Sequence, residues 1–104
     1  MISSSGYRIG PGEVESALRS HPAVAEAAAV GLPDTDRGQI VHADVVLAPG
    51  AVASDELADR LRAHVRETTA PYKYPRSLRF VADLPRTATG KVRRAAIRAE
   101  LAGA

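Results

Sequence analysis

Residues 24–47 read VAEAAAVGLPDTDRGQIVHADVVL, and this stretch decides the fold. Over 41–47, apolar side chains occupy every second position, which predicts a half-buried strand. The preceding segment 33–38, PDTDRG, is a strong turn signal. Segment 24–32 is rich in alanine, and its periodicity does not separate helix from strand. Because a strand needs a partner, we interpret 24–32 as the antiparallel neighbour of 41–47.

The segments on either side predict three helices and one further strand. Leu57, Leu61 and Val65 recur at four-residue spacing behind the N-cap residue Ser54, which indicates an amphipathic helix. In chain order we expect a helix between Gly10-Pro11 and His21-Pro22, strands 24–32 and 41–47, the helix after Ser54, an extended segment 70–75, a strand over 78–82, a loop over 85–91, and a helix from Val92 to Leu101 that stops at Gly103. The prediction is one α+β domain over residues 1–104, a small three-stranded sheet packed with helices.

The composition fits this single small domain. The chain has 104 residues, of which 45% are hydrophobic and 25% charged. It can therefore bury a modest core without covalent or metal cross-links. It contains no cysteine, which excludes disulfides, zinc–thiolate sites and a cysteine nucleophile. No apolar run approaches the roughly 20 residues that span a bilayer. The opening five residues resemble no signal peptide, so we expect a cytoplasmic protein that has no membrane partner.

The formal net charge of +2 conceals a split between two parts of the chain. Residues 1–70 hold six Arg and Lys against ten Asp and Glu, a balance of −4, whereas residues 71–104 hold eight against two, a balance of +6. Such asymmetry indicates either a surface that meets an anionic partner or a solvated helix face. Twelve of the fourteen cations are arginines, which favours bidentate contacts to phosphate or carboxylate.

Several common sites are excluded by spacing. A P-loop needs Gly where Pro85 stands and Ser or Thr where Val92 stands. The glycine-rich start of the first helix fails as a dinucleotide fingerprint because Glu15 occupies the third glycine position. The three histidines share no metal-ligand spacing, so we expect each to be a surface or structural residue. No metal site and no nucleophile elbow is predicted, and any catalysis must rest on cations and backbone amides.

Several stretches resemble one superfamily. Residues 5–11, SGYRIGP, followed by EVE at 13–15, resemble the opening of the small C-terminal domain of acyl-adenylate-forming enzymes. HPAV at 21–24 and GLPD at 31–34 are similar to the next blocks, and LPRTATGK at 84–91 resembles the terminal lysine motif. These enzymes include acyl-CoA synthetases, nonribosomal peptide adenylation domains and luciferases.

A further stretch narrows the resemblance. Residues 70–76, APYKYPR, together with the opening SGYR look most like medium-chain acyl-CoA synthetases. Gly12 departs from many of these relatives, which carry Phe there; we interpret that position as helix-start packing.

The resemblance implies a two-step ligase. A carboxylic acid, here a fatty acid, attacks ATP to give an acyl-adenylate and pyrophosphate, and CoA thiol then attacks the adenylate. It also implies a large N-terminal AMP-binding domain, which this chain lacks and which would hold most of the Mg²⁺. The C-terminal domain would rotate between the steps and offer a different face to the shared site. The isolated 104 residues are expected to be inactive alone.

Lys91 is the expected catalytic residue of the first step, and it would also bind the nucleotide. Carboxylate attack on a phosphate brings like charges together, so a cation stabilises the transition state. A lysine is a compact charge on a flexible stem, which suits a site assembled by domain closure. The neighbouring Gly90 permits a tight loop. In related enzymes this lysine can be acetylated, so an acetyltransferase and a deacetylase are implied as partners.

The resemblance assigns the second step to other residues. A glycine at position 6 allows close backbone approach of a narrow pantetheine arm. Arg8 is implied to reach the nucleotide phosphate, and Glu13 supports the opening motif. The CoA-binding residues implied by the resemblance are Ser5, Gly6, Tyr7, Arg37, Tyr74, Pro75 and Arg76. The remaining cations near the end of the chain, Arg93, Arg94 and Arg98, are interpreted as a solvated helix face that also touches the partner domain.

Two other functions stay open at this point. The domain could belong to an adenylation enzyme that loads a carrier protein, since pantetheine chemistry is shared between the two classes. It could also be a stand-alone basic module that binds nucleic acid. Against the latter, the four aromatic residues are not interleaved with cations, apart from residues 72–74. We therefore expect no nucleic-acid partner.

Overall fold

The computed structural model describes residues 1–102 and contains five strands and three helices over that range. The order is β1 (Ile2–Ser4), β2 (Tyr7–Ile9), α1 (Pro11–Arg19), β3 (Val24–Asp34), β4 (Gly38–Leu47), α2 (Asp55–Thr68), β5 (Ser77–Phe80) and α3 (Arg94–Ala102). The predicted α+β class is confirmed. The expected stop at Gly103 lies outside the described residues.

The sheet is built on the β3–β4 hairpin. Ten residue pairs join these antiparallel strands, from Val24 opposite Leu47 to Asp34 opposite Gly38. Strands β1 and β5 both lie along the other edge of β4, where β1 meets its first residue and β5 runs parallel to residues 42–45. The neighbours run β2-β1-β4-β3, so β3 is an outer strand.

The prediction of three strands was wrong, because the sheet has five. Strands β1 and β2 form a hairpin of two three-residue strands at the start of the chain. Three residues are too few for an alternating pattern to be recognised. Two boundaries also moved inward: β5 ends at Phe80, and α3 begins at Arg94.

Helices cover both faces of the sheet. The odd-numbered side chains of β4 pack with α1 and α2 in a core that includes Val14, Leu18, Leu61 and Val65, none of which is exposed. The opposite face packs against Ile97 of α3. Ser54 caps α2 as predicted, since its hydroxyl accepts the Leu57 N–H at 3.0 Å.

Polar side chains share the second face. His42 and Asp44 of β4 are each 1% exposed, and His42 Nε2 lies 2.7 Å from Asp44 Oδ1. The other ring nitrogen lies 2.7 Å from the Ser77 hydroxyl. His42 is therefore a structural histidine, as expected. No helix within residues 1–102 is long and apolar enough to cross a membrane.

Candidate functional site

The turn between β1 and β2 has two consecutive residues with positive φ. Ser5 has φ 51° and Gly6 has φ 84°. A two-residue hairpin turn with both φ values positive matches the right-handed twist of its strands, and glycine adopts it without strain. A Cβ added at Gly6 would meet no atom within 4 Å, so the turn tip faces open space.

Arg37 holds this turn in place. The Ser5 N–H donates to the Arg37 carbonyl at 2.9 Å, and Arg37 Nη1 donates to the Ser5 hydroxyl at 3.0 Å. Arg37 itself is fixed by its N–H, which donates to the Asp34 carboxylate at 2.9 Å. Two regions more than thirty residues apart in sequence, both predicted to bind CoA, are thus in direct contact.

Tyr7 extends the site toward the segment after α2. Its ring stacks on that of Tyr72, with centroids 4.1 Å apart and an interplanar angle of 16°. Both rings remain exposed, by 51% and 40%. A pocket of about 490 Å³ opens here, and it is lined by Ser4, Ser5, Tyr7, Arg37, Pro71, Tyr72 and Arg76.

Two guanidinium groups lie over the ring of Tyr74. Arg66 of α2 and Arg76 lie 4.7 and 4.8 Å from the centre of its ring, within the range of cation–π contacts. Pro75 is buried, and its carbonyl accepts a hydrogen bond from Arg62 Nε at 2.9 Å. Pro75 therefore fixes the segment by packing, and its ring is not available on the surface.

Lys91 lies on a hairpin loop that precedes α3. The Thr87 N–H donates to the Lys91 carbonyl at 2.8 Å, and the Lys91 N–H donates to the Thr87 hydroxyl at 3.2 Å. Gly90 has φ 88°, the left-handed conformation that glycine tolerates best. The Lys91 side chain is exposed. The loop therefore has a defined backbone and presents its cation to solvent.

The basic final third of the chain separates into paired and unpaired cations. Four of its eight side chains form ion pairs with Asp or Glu: Lys73, Arg79, Arg86 and Arg94. Within residues 1–102 the other four form none: Arg76, Lys91, Arg93 and Arg98. Arg76 and Lys91, the residues of this third predicted to meet an anionic ligand, are therefore among the cations that pair with no Asp or Glu of the described range.

The interpretation of Arg94 as part of a solvated face was wrong. Its guanidinium forms a forked ion pair with Glu15, at 2.6 to 3.0 Å, and the Glu15 side chain is 8% exposed. Arg93 and Arg98 are exposed, as expected. Arg8 is exposed on β2, opposite Ser3 of β1.

Glu13 and Lys73 form another contact of the site. The Glu13 carboxylate, in the first turn of α1, accepts a hydrogen bond from Lys73 Nζ at 2.7 Å. That hydrogen bond raises the pKa of Lys73, because a nearby negative charge favours the ammonium form.

Two contributors to the site were missed by the sequence analysis. Tyr72 was quoted within the stretch 70–76 without a role, although its aromatic ring was a usable signal. Arg66 had none, since its position over Tyr74 depends on how the chain turns after α2.

The predicted residues fall at opposite ends of the β3–β4 pair. The Ser5 turn contacts Arg37, next to the start of β4, whereas the Lys91 loop is joined to Glu26 of β3 through Arg86. Asp34 lies eight positions along β3 from Glu26, which corresponds to about 26 Å. The Lys91 loop and the Ser5 turn therefore lie near opposite ends of this strand pair.

A family model, the AMP-binding enzyme C-terminal domain, matches residues 13–91. The chain belongs to this family. The match runs from Glu13 to Lys91, and the Ser5 turn lies just ahead of it.

Relatives of this AMP-binding enzyme C-terminal domain include acyl-CoA synthetases. The chain is 53% identical over 105 residues to the human mitochondrial acyl-coenzyme A synthetase ACSM1, covering 99% of this chain and 18% of that protein. It is 53% identical over 98 residues to 4-hydroxybutyrate–CoA ligase 1 of Metallosphaera sedula, covering 94% and 17%. The resemblance to medium-chain acyl-CoA synthetases is confirmed.

The fold of the domain agrees with these relatives. An acyl-CoA synthetase of Brucella canis has a crystal structure that matches with a TM-score of 0.96 and 52% identity, over 98% of this chain and 19% of that one. The chain therefore spans about a fifth of the length of the relatives it matches.

Proposed function

We propose that the chain is the mobile C-terminal domain of an ATP-dependent, AMP-forming acyl-CoA synthetase. The enzyme would convert a fatty acid, ATP and CoA into acyl-CoA, AMP and pyrophosphate. The observation that carries this proposal is the similarity of nearly the whole chain to acyl-CoA synthetases in sequence and fold. A large N-terminal AMP-binding domain would supply the acyl pocket, so the acid substrate is set outside this chain.

Lys91 acts in the first half-reaction. Its exposed ammonium, on a loop with a defined backbone, contacts the nucleotide and the attacking carboxylate once the two domains close. There it offsets the repulsion between the carboxylate and the phosphate and stabilises the charge that develops. Arg8, also exposed and cationic, contributes a second contact to the nucleotide phosphate.

The pocket beside Ser5 and Arg37 acts in the second half-reaction. The turn tip at Gly6 leaves room for the pantetheine arm to approach the backbone, with Tyr7 beside it. Arg37 and Arg76 line the same pocket and donate charge-assisted hydrogen bonds to CoA phosphates. Tyr74 keeps the Arg76 guanidinium in place through its ring.

The separation of the two groups gives a physical reason for domain rotation. Since the two groups lie near opposite ends of the β3–β4 pair, one site would use Lys91 and the Ser5 turn in succession. Rotation of this domain against its N-terminal partner would exchange the two ends at the reaction centre.

Mg²⁺ would be held by the N-terminal domain. Among residues 1–102, no group of three or more His, Asp or Glu side chains is placed to bind a metal ion. The ligand chemistry present here fits phosphate contacts, so the roles of this chain are those of its cations and backbone amides.

The alternative functions are less well supported. Loading of a carrier protein would use the same pantetheine chemistry, but the relatives named above are CoA ligases or synthetases. A nucleic-acid module needs a continuous basic surface, and half of the cations in the final third of the chain are engaged in ion pairs. A cytoplasmic location stays a prediction, since the human relative is named as mitochondrial.

Separate assay of the two half-reactions tests the proposal. In a ligase polypeptide where this chain follows an AMP-binding domain, Lys91→Ala should lower acyl-adenylate formation roughly 100- to 1000-fold. Thioester formation from supplied acyl-adenylate and CoA should be retained. Acetylation of Lys91 removes the same charge and should give the same pattern. Equal loss of both half-reactions would contradict the assignment, and absence of any CoA-dependent activity would contradict the proposed function.

A further inference from the structure

Helix α1 carries two carboxylates, Glu13 and Glu15, whose contacts lead to opposite ends of the domain. Residues two positions apart lie on different sides of a helix. Glu13 accepts a hydrogen bond from Lys73, in the segment that lines the pocket beside the Ser5 turn. Glu15 accepts the forked ion pair of Arg94, which begins α3 three residues after Lys91.

The Glu15 carboxylate is buried, whereas the Arg94 side chain that pairs with it is 41% exposed. Glu15 is 6% exposed, and Oε2, one of its two oxygens that contact Arg94, also accepts the N–H of Ala29 on β3, at 2.8 Å. A forked, charge-assisted pair of this kind fixes direction as well as distance. Helix α1, strand β3 and the start of α3 are therefore joined at one carboxylate.

The Lys91 loop is held on both sides as a result. On one side Arg86 forms an ion pair with Glu26 of β3. On the other side Arg94 is fixed by Glu15, and the Arg93 N–H donates to the Pro85 carbonyl at 2.8 Å. The backbone of Lys91 therefore has a fixed position although its side chain is exposed.

The contact between Glu13 and Lys73 is more exposed, and it joins α1 to the segment beside the pocket. The exposed fractions of the Lys73 and Glu13 side chains are 18% and 56%. Lys73 directly follows Tyr72, whose ring stacks on Tyr7 at the edge of the pocket. Exposed ion pairs add little to stability, so loss of this pair would move the segment without unfolding the domain.

We propose that Glu13 and Glu15 are positioning residues that divide the two half-reactions between them. Glu15 acts through Arg94 on Lys91, and Glu13 acts through Lys73 on the CoA pocket. Neither carboxylate touches substrate. The effect on the two half-reactions rests on the proposed function. The effect of each carboxylate on the order of its segment concerns this chain alone.

Amide hydrogen exchange on the 104-residue chain tests whether each carboxylate orders its own segment. Glu15→Gln should speed amide exchange across residues 87–93 about tenfold and leave residues 71–76 unchanged, whereas Glu13→Gln should do the reverse. Glu56→Gln removes an exposed ion pair with Arg60 on α2 and serves as the matched control, with no change in either segment. If Glu15→Gln lowers folding yield, Arg94→Lys keeps one hydrogen bond and should loosen the same loop. Identical exchange maps for Glu13→Gln and Glu15→Gln would overturn the inference.

Half-reaction rates in a ligase polypeptide that contains this chain give the second measurement. Glu15→Gln should lower acyl-adenylate formation roughly 10- to 100-fold while thioester formation from supplied adenylate persists. Glu13→Gln should raise KM for CoA severalfold and leave adenylate formation unchanged. If Glu13 and Glu15 only stabilised the fold, each substitution would lower both half-reaction rates together. That result would overturn the proposal that each carboxylate serves one half-reaction. An inactive unsubstituted enzyme would instead contradict the proposed function, and the exchange maps would still decide the structural part.

Discussion

Asp44 on β4 accepts two hydrogen bonds from the guanidinium of Arg79 on β5, at 2.7 and 3.1 Å, and a third contact from His42. This arrangement joins β5 to the sheet through side chains as well as through its parallel ladder. Arg79 also reaches Glu100 of α3 at 3.2 Å, so one buried carboxylate organises a network from β4 to the last helix.

Asp44→Asn should lower the free energy of unfolding by about 3 kcal/mol, because it removes the buried carboxylate that pairs with Arg79 and leaves Arg79 only its more exposed partner Glu100. Chemical denaturation of the 104-residue chain measures this loss. Glu56→Gln, which removes an exposed pair, should change stability by less than about 1 kcal/mol. Similar values for the two variants would contradict the role given to Asp44.

The same carboxylate should make stability depend on acid pH. Burial raises the pKa of Asp44, but hydrogen bonds from Arg79 and His42 outweigh it and hold the pKa below the ordinary 3.8. Its stabilisation is therefore complete above about pH 4 and is lost as the pH falls through the lower folded-state pKa. Asp44→Asn should show a flatter decline of stability below pH 4 than the unsubstituted chain. Parallel declines would count against this account.

His21 should produce a window of the same direction at higher pH. Burial, His64 and Arg60 lower its pKa from 6.5, so the unfolded chain takes up a proton more readily than the folded one. Its contribution is complete above about pH 6.5 and is lost as the pH falls toward the folded-state pKa. The slope of unfolding free energy against pH between 5 and 7 should be smaller in His21→Asn. An unchanged slope would contradict the prediction, whatever the absolute stability of the variant.

Arg37→Ala and Arg76→Ala should each raise KM for CoA roughly 10- to 100-fold, the loss expected for one charge-assisted hydrogen bond. KM for ATP should stay within about twofold, because neither residue is assigned to the adenylation step. Steady-state kinetics of a ligase polypeptide containing the chain measures both constants. Arg98→Ala, which removes an exposed cation of α3, is the matched control. Unchanged CoA kinetics would remove these residues from the CoA site.

The stacked pair of Tyr7 and Tyr72 should dominate the near-ultraviolet circular dichroism. The chain has three tyrosines and no tryptophan, so few other chromophores contribute. Tyr72→Ala should remove most of the signal between 270 and 285 nm while Tyr74→Phe retains the band of the stacked pair. CoA binding should perturb the same band, since both rings border the pocket. A Tyr72→Ala spectrum equal to that of the unsubstituted chain would show that the rings are not stacked in solution.

Local sequence patterns predicted those parts of the fold in which one element can be recognised by itself. The Ser54 cap with Leu57, Leu61 and Val65 predicted α2, and the alternation over 41–47 predicted the centre of β4. The β1–β2 hairpin was missed because its strands form only by pairing with each other and with Gly38. A pattern confined to three residues carries no periodicity from which a strand can be inferred.

Residues of the candidate site could be predicted where they belong to a sequence motif of the family. Lys91, Arg37 and Arg76 were assigned from the resemblance, yet no local pattern connects Glu15 with Arg94, which is 79 positions away. An arginine on a solvated helix face and an arginine that pairs with a buried carboxylate look alike in sequence. Which of the two applies is decided by how α1 and α3 pack around β3.

The contact of Glu15 with Ala29 has a consequence for solubility. Strand β3 is an eleven-residue, alanine-rich outer strand, and unpaired amides on such a strand invite pairing with another chain. The Glu15 carboxylate accepts a hydrogen bond from the Ala29 N–H, and Pro33 has no N–H to donate. The helix that orders the site thereby also leaves one backbone donor fewer on this outer strand for intermolecular strand addition, the first step toward aggregates and fibres.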